Sequence, residues 1–247
     1  MLNTQDNRKC TRYNLQKSLK LLYLVSHHYY YNFMDNNKEL FKTKYLQHIL
    51  SGSHKDALQL SNNFLAQGNT IKDLYEEVMK PSLYEIGRLW EQNQITVAAE
   101  HLATAITEGI LNSLYARIIP KEYNKKKVVL ACAESEEHQV GVKMVADIFE
   151  MNEWESFFLG TGFPSPELVK YIDEVKPDLI ALSLSVYFNF AKLKQMLNDL
   201  KASHPNIPIL IGGQALQHVS EKAINEFSNV TYLSDLNSLE EYIANFK

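Results

Sequence analysis

The stretch Glu134-Ser135-Glu136-Glu137-His138-Gln139-Val140-Gly141 sets a single imidazole among carboxylates. Glu136 stands two residues before His138, close enough to accept a hydrogen bond from one ring nitrogen. The other nitrogen is then free to act as a metal ligand or as a base. Two further short segments carry unusual residues, Ser183-Leu184-Ser185 and Gly212-Gly213-Gln214. In the sequence, 41 residues separate Gly141 from Ser183, and 26 separate Ser185 from Gly212. Each segment alone has an ordinary explanation, as a surface histidine, a serine satisfying backbone or a glycine turn. Together, on one edge of one sheet, they describe a slot beside a possible metal ligand. Small residues let a large group approach the backbone, and hydroxyls can bond it.

The elements that must position these residues follow from hydrophobic pattern. The run Lys127-Val128-Val129-Leu130-Ala131-Cys132-Ala133 has the composition of a buried strand, and the segment after Gly141 reads as a helix. The acidic stretch is therefore a loop at the carboxyl end of a strand, where open α/β sheets hold ligands. Strands are expected at 127–133, 155–159, 178–185, 207–211 and 230–233. Helices are expected at 139–152, 165–176, 188–203, 217–227 and 236–246. This alternation predicts a doubly wound parallel α/β sheet of Rossmann or flavodoxin type over 126–247.

Residues 37–119 are helical in pattern and predict an all-α four-helix bundle. Its first helix, from Lys38 to Leu50, stops at Ser51-Gly52, and Ser53 is the expected cap of the second. Thr70 should cap a third running to Trp90, with Pro81 kinking or dividing it near Lys80. The fourth runs from near Thr96 to Ile118, and 120–127 is a polar linker. Residues 1–36 read as an N-terminal helical extension. Its Leu15, Leu19, Leu22 and Val25 lie at helical spacing beside the aromatic run Tyr29-Tyr30-Tyr31, suited to packing on the bundle or to a partner contact.

Composition narrows the function classes. A net charge of -4 gives no support for a general nucleic-acid binder. The basic residues Arg8, Lys9, Arg12, Lys17 and Lys20 fit a solvated helix face. Cys10 and Cys132 are too few and too far apart for a disulfide framework or zinc site, and Cys132 reads as a small core residue. Lys20, His27 and His28 interrupt the most apolar window near the start, so neither signal peptide nor membrane span is read and the cytoplasm is the expected compartment. No GxGxxG follows the first strand, and no GxxxxGK with Ser or Thr occurs, which excludes the usual nucleotide-binding loops.

The spaced trio Glu136-x-His138-x-x-Gly141, Ser183-x-Ser185 and Gly212-Gly213 resembles the cobalamin-binding domain family, whose fingerprint is DxHxxG, SxL and GG at about these intervals. The resemblance implies that His138 is the lower cobalt ligand, replacing the cofactor's own dimethylbenzimidazole, and that Glu136 orients it. It implies that Gly141 lets the loop meet the helix, that Ser183 and Ser185 hold the displaced nucleotide tail, and that Gly212 and Gly213 wall its slot. Gly160, after the second strand, would flank the corrin. Glu136 stands where Asp is usual, one methylene longer, which would loosen the bond to His138. Ser185 stands where Leu is usual and makes the slot more polar.

The segment from Gly87 to His101 sets nine residues between Trp90 and the Glu100-His101 pair. This resembles the W-x9-EH signature of light-sensing, adenosylcobalamin-dependent transcription regulators. Trp90, Val97, Glu100 and His101 would then enclose an upper ligand, with the carboxylate and imidazole bonding its ribose hydroxyls. Otherwise Trp90 is core and the pair is surface. The regulators carry a DNA-binding winged helix that residues 1–36 are too short to hold, which argues against direct DNA binding and for output through a protein partner or homo-oligomer. Their best-known members have His after the Trp, where this sequence has Glu91.

Three functions follow from the resemblance. The first is a non-enzymatic sensor holding adenosylcobalamin in preference to methylcobalamin, responding to cleavage of the cobalt–carbon bond. The second is a corrinoid protein carrying methyl groups between methyltransferases. The third is a bundle-and-sheet pair that no longer binds cofactor. The absence of a substrate barrel disfavours an adenosylcobalamin mutase.

Overall fold

The computed structural model describes residues 37–219, 221–224 and 226–246. The expectations for residues 1–36, including Cys10 and the aromatic run, lie outside the described residues. A helix over 37–50 (α1) leads into α2 (His54–Ala66) and then α3 (Ile71–Asp73). Without a break, α3 continues through a π-helical turn, Leu74–Met79, into α4 (Lys80–Glu91), and α5 is Val97–Ile118. The apolar stripes of these helices close on Phe41, Tyr45, Ile49, Phe64, Tyr75, Ile86, Ile106 and Leu111, all buried.

Local chemistry sets most of the boundaries. Thr70 makes a reciprocal capping box with Asp73, and Thr96 accepts from the Ala99 N–H. Ser53 does stand at the start of α2, but its hydroxyl donates to Asp56 Oδ2 at 2.6 Å and caps no backbone N–H. An element boundary falls at Lys80, next to Pro81 as expected, but it is a change of helix type and not a gap. The backbone shifts to i→i−5 bonding just before it, with Lys80 N–H reaching the Tyr75 carbonyl. A π turn thus absorbs a residue that lacks an N–H.

The second part is a five-stranded, wholly parallel sheet of order β2-β1-β3-β4-β5. The strands are β1 (Lys127–Cys132), β2 (Glu155–Gly160), β3 (Leu179–Ser183), β4 (Ile209–Gly212) and β5 (Val230–Tyr232). Helices α6 (Val140–Met151), α7 (Ser165–Val175), α8 (Phe190–Ser203), α9 (Glu221–Ile224) and α10 (Leu236–Asn245) alternate with them. From β1 the chain winds to β2 on one side and to β3 on the other, so the strand-end crevice between β1 and β3 is the topological switch point.

Two apolar clusters divide the sheet's faces. One runs from the bundle through α6 to α10; the other packs α7 and α8 on the opposite face. The bundle and the α6/α10 face therefore share one core. No helix among the described residues is long and apolar enough to cross a membrane.

Two sequence expectations change in the structure. The helix expected at 217–227 is a 3-10 turn, Gln214–His218, followed by the short α9. Extended backbone at Val219 separates them, and Ala215, Leu216 and Phe227 are buried in the same apolar cluster. The third strand stops at Ser183 rather than 185. Leu184 N–H still bonds the carbonyl of Gly212, the last residue of β4, but those of Ser185 and Val186 leave the sheet for a side chain.

Candidate functional site

Sheet register brings the three motifs together. Cys132, the last residue of β1, pairs with Ser183, and Ser183 pairs with Gly212. The His138, Ser183 and Gly212 loops therefore leave neighbouring strands at one edge. Cys132 is buried there, as expected, and its thiol donates to the His138 carbonyl at 3.6 Å.

Glu136 is the keystone of this edge and is almost wholly buried, at 1% exposure. Its Oε1 accepts from His138 Nδ1 at 2.5 Å and from the His138 backbone N–H at 3.1 Å. Its Oε2 accepts from the N–H groups of Ser185 at 2.9 Å and Val186 at 2.8 Å. The expectation that a longer side chain would loosen the His138 bond is thus corrected. The extra methylene lets one carboxylate hold the imidazole and the loop after β3 at once.

Electrostatics agree with this geometry. Burial pushes the Glu136 carboxyl upward, but the His138 side chain and three backbone N–H groups together bring it down to about 2. The hydrogen bond to Glu136 holds the His138 pKa above its ordinary value against burial, with help from the charges of Glu136, Glu100 and Glu137. His138 is half exposed, and among the described residues its Nε2 makes no hydrogen bond. Among the described residues no three His, Cys, Asp or Glu side chains converge to hold a metal. His138 could supply one ligand, and the remainder would have to arrive with the metal.

The glycines divide into two kinds. Gly213 sits at φ +108, and a Cβ there would lie 2.2 Å from the Leu184 carbonyl oxygen. Its missing side chain is used up by the approach of two strand-end loops. Gly141 is the reverse. A Cβ on it would meet nothing within 4 Å, so loop–helix contact does not require glycine there, contrary to expectation. The space beside it is open. Gly160, at φ +70, has Gln139 Oε1 2.6 Å from where its Cβ would be, so it makes room for Gln139.

The other candidates lie on the bundle, on α4 and α5. Trp90, Val97 and His101 are exposed. Glu100 hydrogen-bonds His101 Nδ1 and accepts from Thr104 Oγ1 at 3.0 Å. Trp90 is therefore not the core residue of the ordinary alternative. Gln139 and Glu108, whose side chains are bonded at 3.0 Å, went unnoticed in the sequence. The signal for Glu108 was there, in Glu100, Thr104 and Glu108 at intervals of four on α5.

Residues 126–230 match a family model described as a B12 binding domain, and residues 42–115 match a second model with the same description. The HTH-type transcriptional repressor CarH of Myxococcus xanthus is 29% identical over 154 residues, covering 62% of this chain and 50% of the repressor. CarA of the same organism is 26% identical, over 49% of this chain and 41% of its own length. The chain thus spans half or less of these two relatives. Trimethylamine corrinoid protein 1 of Methanosarcina mazei is 24% identical, over 72% of this chain and 84% of that protein. The fold matches the monomethylamine corrinoid protein of Methanosarcina barkeri with a TM-score of 0.71 at 17% identity, over 83% of this chain and 97% of that one.

Proposed function

Because the chain belongs to the cobalamin-binding domain family, we propose that it is a cobalamin sensor that holds adenosylcobalamin through His138 and answers to light. The residues fit such a cofactor on their own chemistry. A buried carboxylate fixes His138 Nδ1 and leaves Nε2 free and half exposed, and open space adjoins Gly141. In this reading Glu136 orients His138, Ser183 and Ser185 bond the cofactor's tail, and Gly212 and Gly213 keep the slot narrow. When bound, the cofactor would supply a cobalt–carbon bond that light can break.

The observation that carries the sensor reading is on α5. Glu100 is paired with His101 and Thr104 and its charge helps to raise the His138 pKa, while Trp90 near the end of α4 is exposed. A carboxylate and an imidazole so placed can bond ribose hydroxyls, and an exposed indole can cover an adenosyl group. The chain's own residues would thus bind and orient both faces of the ligand. Neither this reading nor its alternative requires the chain to be a catalyst. Output would pass through a protein partner or a change of oligomer.

The test is absorption and oligomeric state of the adenosylcobalamin-loaded protein before and after green light. A spectral change with a change of assembly is expected; an unchanged spectrum would sink the sensor reading. The alternative, a methyl carrier between methyltransferases, draws on the long match to trimethylamine corrinoid protein 1. Methyl transfer from the methylcobalamin-loaded protein to a partner enzyme, with no light response, would favour it.

A further inference from the structure

The residue that follows His138 is bonded to the bundle. Gln139 stands at the N-cap of α6, and its Nε2 donates to Glu108 Oε1 on α5 at 3.0 Å. Glu108 closes the row that begins with Glu100 and Thr104, a face of α5 spanning about 12 Å over two turns. At its other end, Gln139 adjoins a residue whose N–H is fixed by Glu136 and whose carbonyl accepts from Cys132. Its amide lies against Gly160, where a Cβ would come within 2.6 Å of Oε1. The side chain therefore occupies the room that the missing Cβ of Gly160 leaves.

Other polar links join bundle and sheet, but they lie elsewhere. Tyr75 bonds Asp147, Lys72 bonds Glu240, and Leu236 N–H reaches Glu76. Among the described residues, only the Gln139–Glu108 bond joins the row carrying Glu100 to the neighbour of His138.

We propose that Gln139 and Glu108 form a strut that couples the position of α5 to the His138 loop, so that the group on one face of the bound cofactor alters how firmly the opposite face is held. Gln139 is then a positioning residue, acting through His138. The inference rests on the cobalamin reading above. A ligand group that moves α5 must either break the strut or pull on the loop. A hydrogen bond to a charged acceptor of this kind is worth about tenfold in an equilibrium.

The experiment measures the affinities of adenosylcobalamin and hydroxocobalamin by absorption titration, for the wild type, Gln139→Leu, Glu108→Leu, the double variant and Glu108→Gln. Each leucine variant should keep an imidazole-ligated spectrum, with the ratio of the two affinities moving about tenfold towards one. The double variant should go no further, and Glu108→Gln, which still offers an oxygen, should restore most of the wild-type ratio. An unchanged ratio in either leucine variant, additive effects in the double variant, or a wild-type ratio already near one would overturn the strut. Wild-type protein that takes up neither cobalamin would overturn the cobalamin reading, and the strut with it. Testing each leucine on its own element, one on α5 and one at the start of α6, guards against a folding defect in one of them.

Discussion

Glu136 shows how one residue can organise a site that its own neighbours only hint at. Buried carboxylates are costly unless their oxygens are satisfied, and four hydrogen bonds meet here. Replacing Glu136 by Ala should strand two loops' N–H groups and lower stability by about 3 kcal/mol in urea unfolding of the cofactor-free protein. A loss below 1 kcal/mol would mean that water replaces the carboxylate without penalty. The pairing of Glu136 with His138 was legible, because two residues of separation in a loop bring the groups within reach. Its hold on Ser185 and Val186 was not, since that depends on how β1 and β3 lie side by side. For the same reason Gln139, at the start of the helix expected over 139–152, drew no notice until its partner, 31 positions earlier, came into view.

At the scale of elements, strands and helices were readable wherever burial followed a simple period. The five strands stand close to their expected positions because each is a short apolar run bounded by turn residues. The exceptions are places where tertiary contacts outweigh local preference. Val219 interrupts the helix expected at 217–227, and the change of helix type near Pro81 takes the form of a π turn. The glycines give a paired prediction here. Gly213→Ala should cost about 3 kcal/mol, since a Cβ collides with the Leu184 carbonyl at a positive φ. Gly141→Ala should leave the cofactor-free protein as stable or about 0.5 kcal/mol more so, because the site is in the first turn of α6 and nothing opposes a methyl group. If the open space there serves the cofactor, the same variant should lose cobalamin affinity. Thermal unfolding and absorption titration of the two proteins separate these effects; a Gly141→Ala protein that unfolds early would contradict the assignment of open space.

At the scale of the molecule, the bundle and the sheet share one core. The hydrophobic pattern leads one to expect two parts and a linker, but it carries no sign of how they meet, because cross-domain partners are distant in the chain. Tyr75 on the π turn and Asp147 on α6 are both buried, with the hydroxyl donating to Oδ2 at 2.7 Å. Tyr75→Phe should cost about 1–3 kcal/mol by leaving the carboxylate short of a partner. Burial raises the Asp147 pKa above its ordinary 3.8, Lys143 and Tyr75 oppose the rise, and Glu150 adds to it. The folded state therefore binds this proton more tightly than the unfolded one. Its contribution is fully present below pH 3.8 and is lost as pH rises through the raised value. Asp147→Asn should accordingly match the wild type in acid and gain on it as pH rises towards neutrality, in urea midpoints measured across that range. A variant that falls behind at neutral pH would show that the charge itself is needed. The claim on which the whole account turns is that His138 is the lower ligand of cobalt. Absorption spectra of wild type and His138→Ala, each reconstituted with adenosylcobalamin, address it directly: the account predicts an imidazole-ligated spectrum that the variant loses along with much of its cofactor, whereas the same spectrum in both proteins would contradict it.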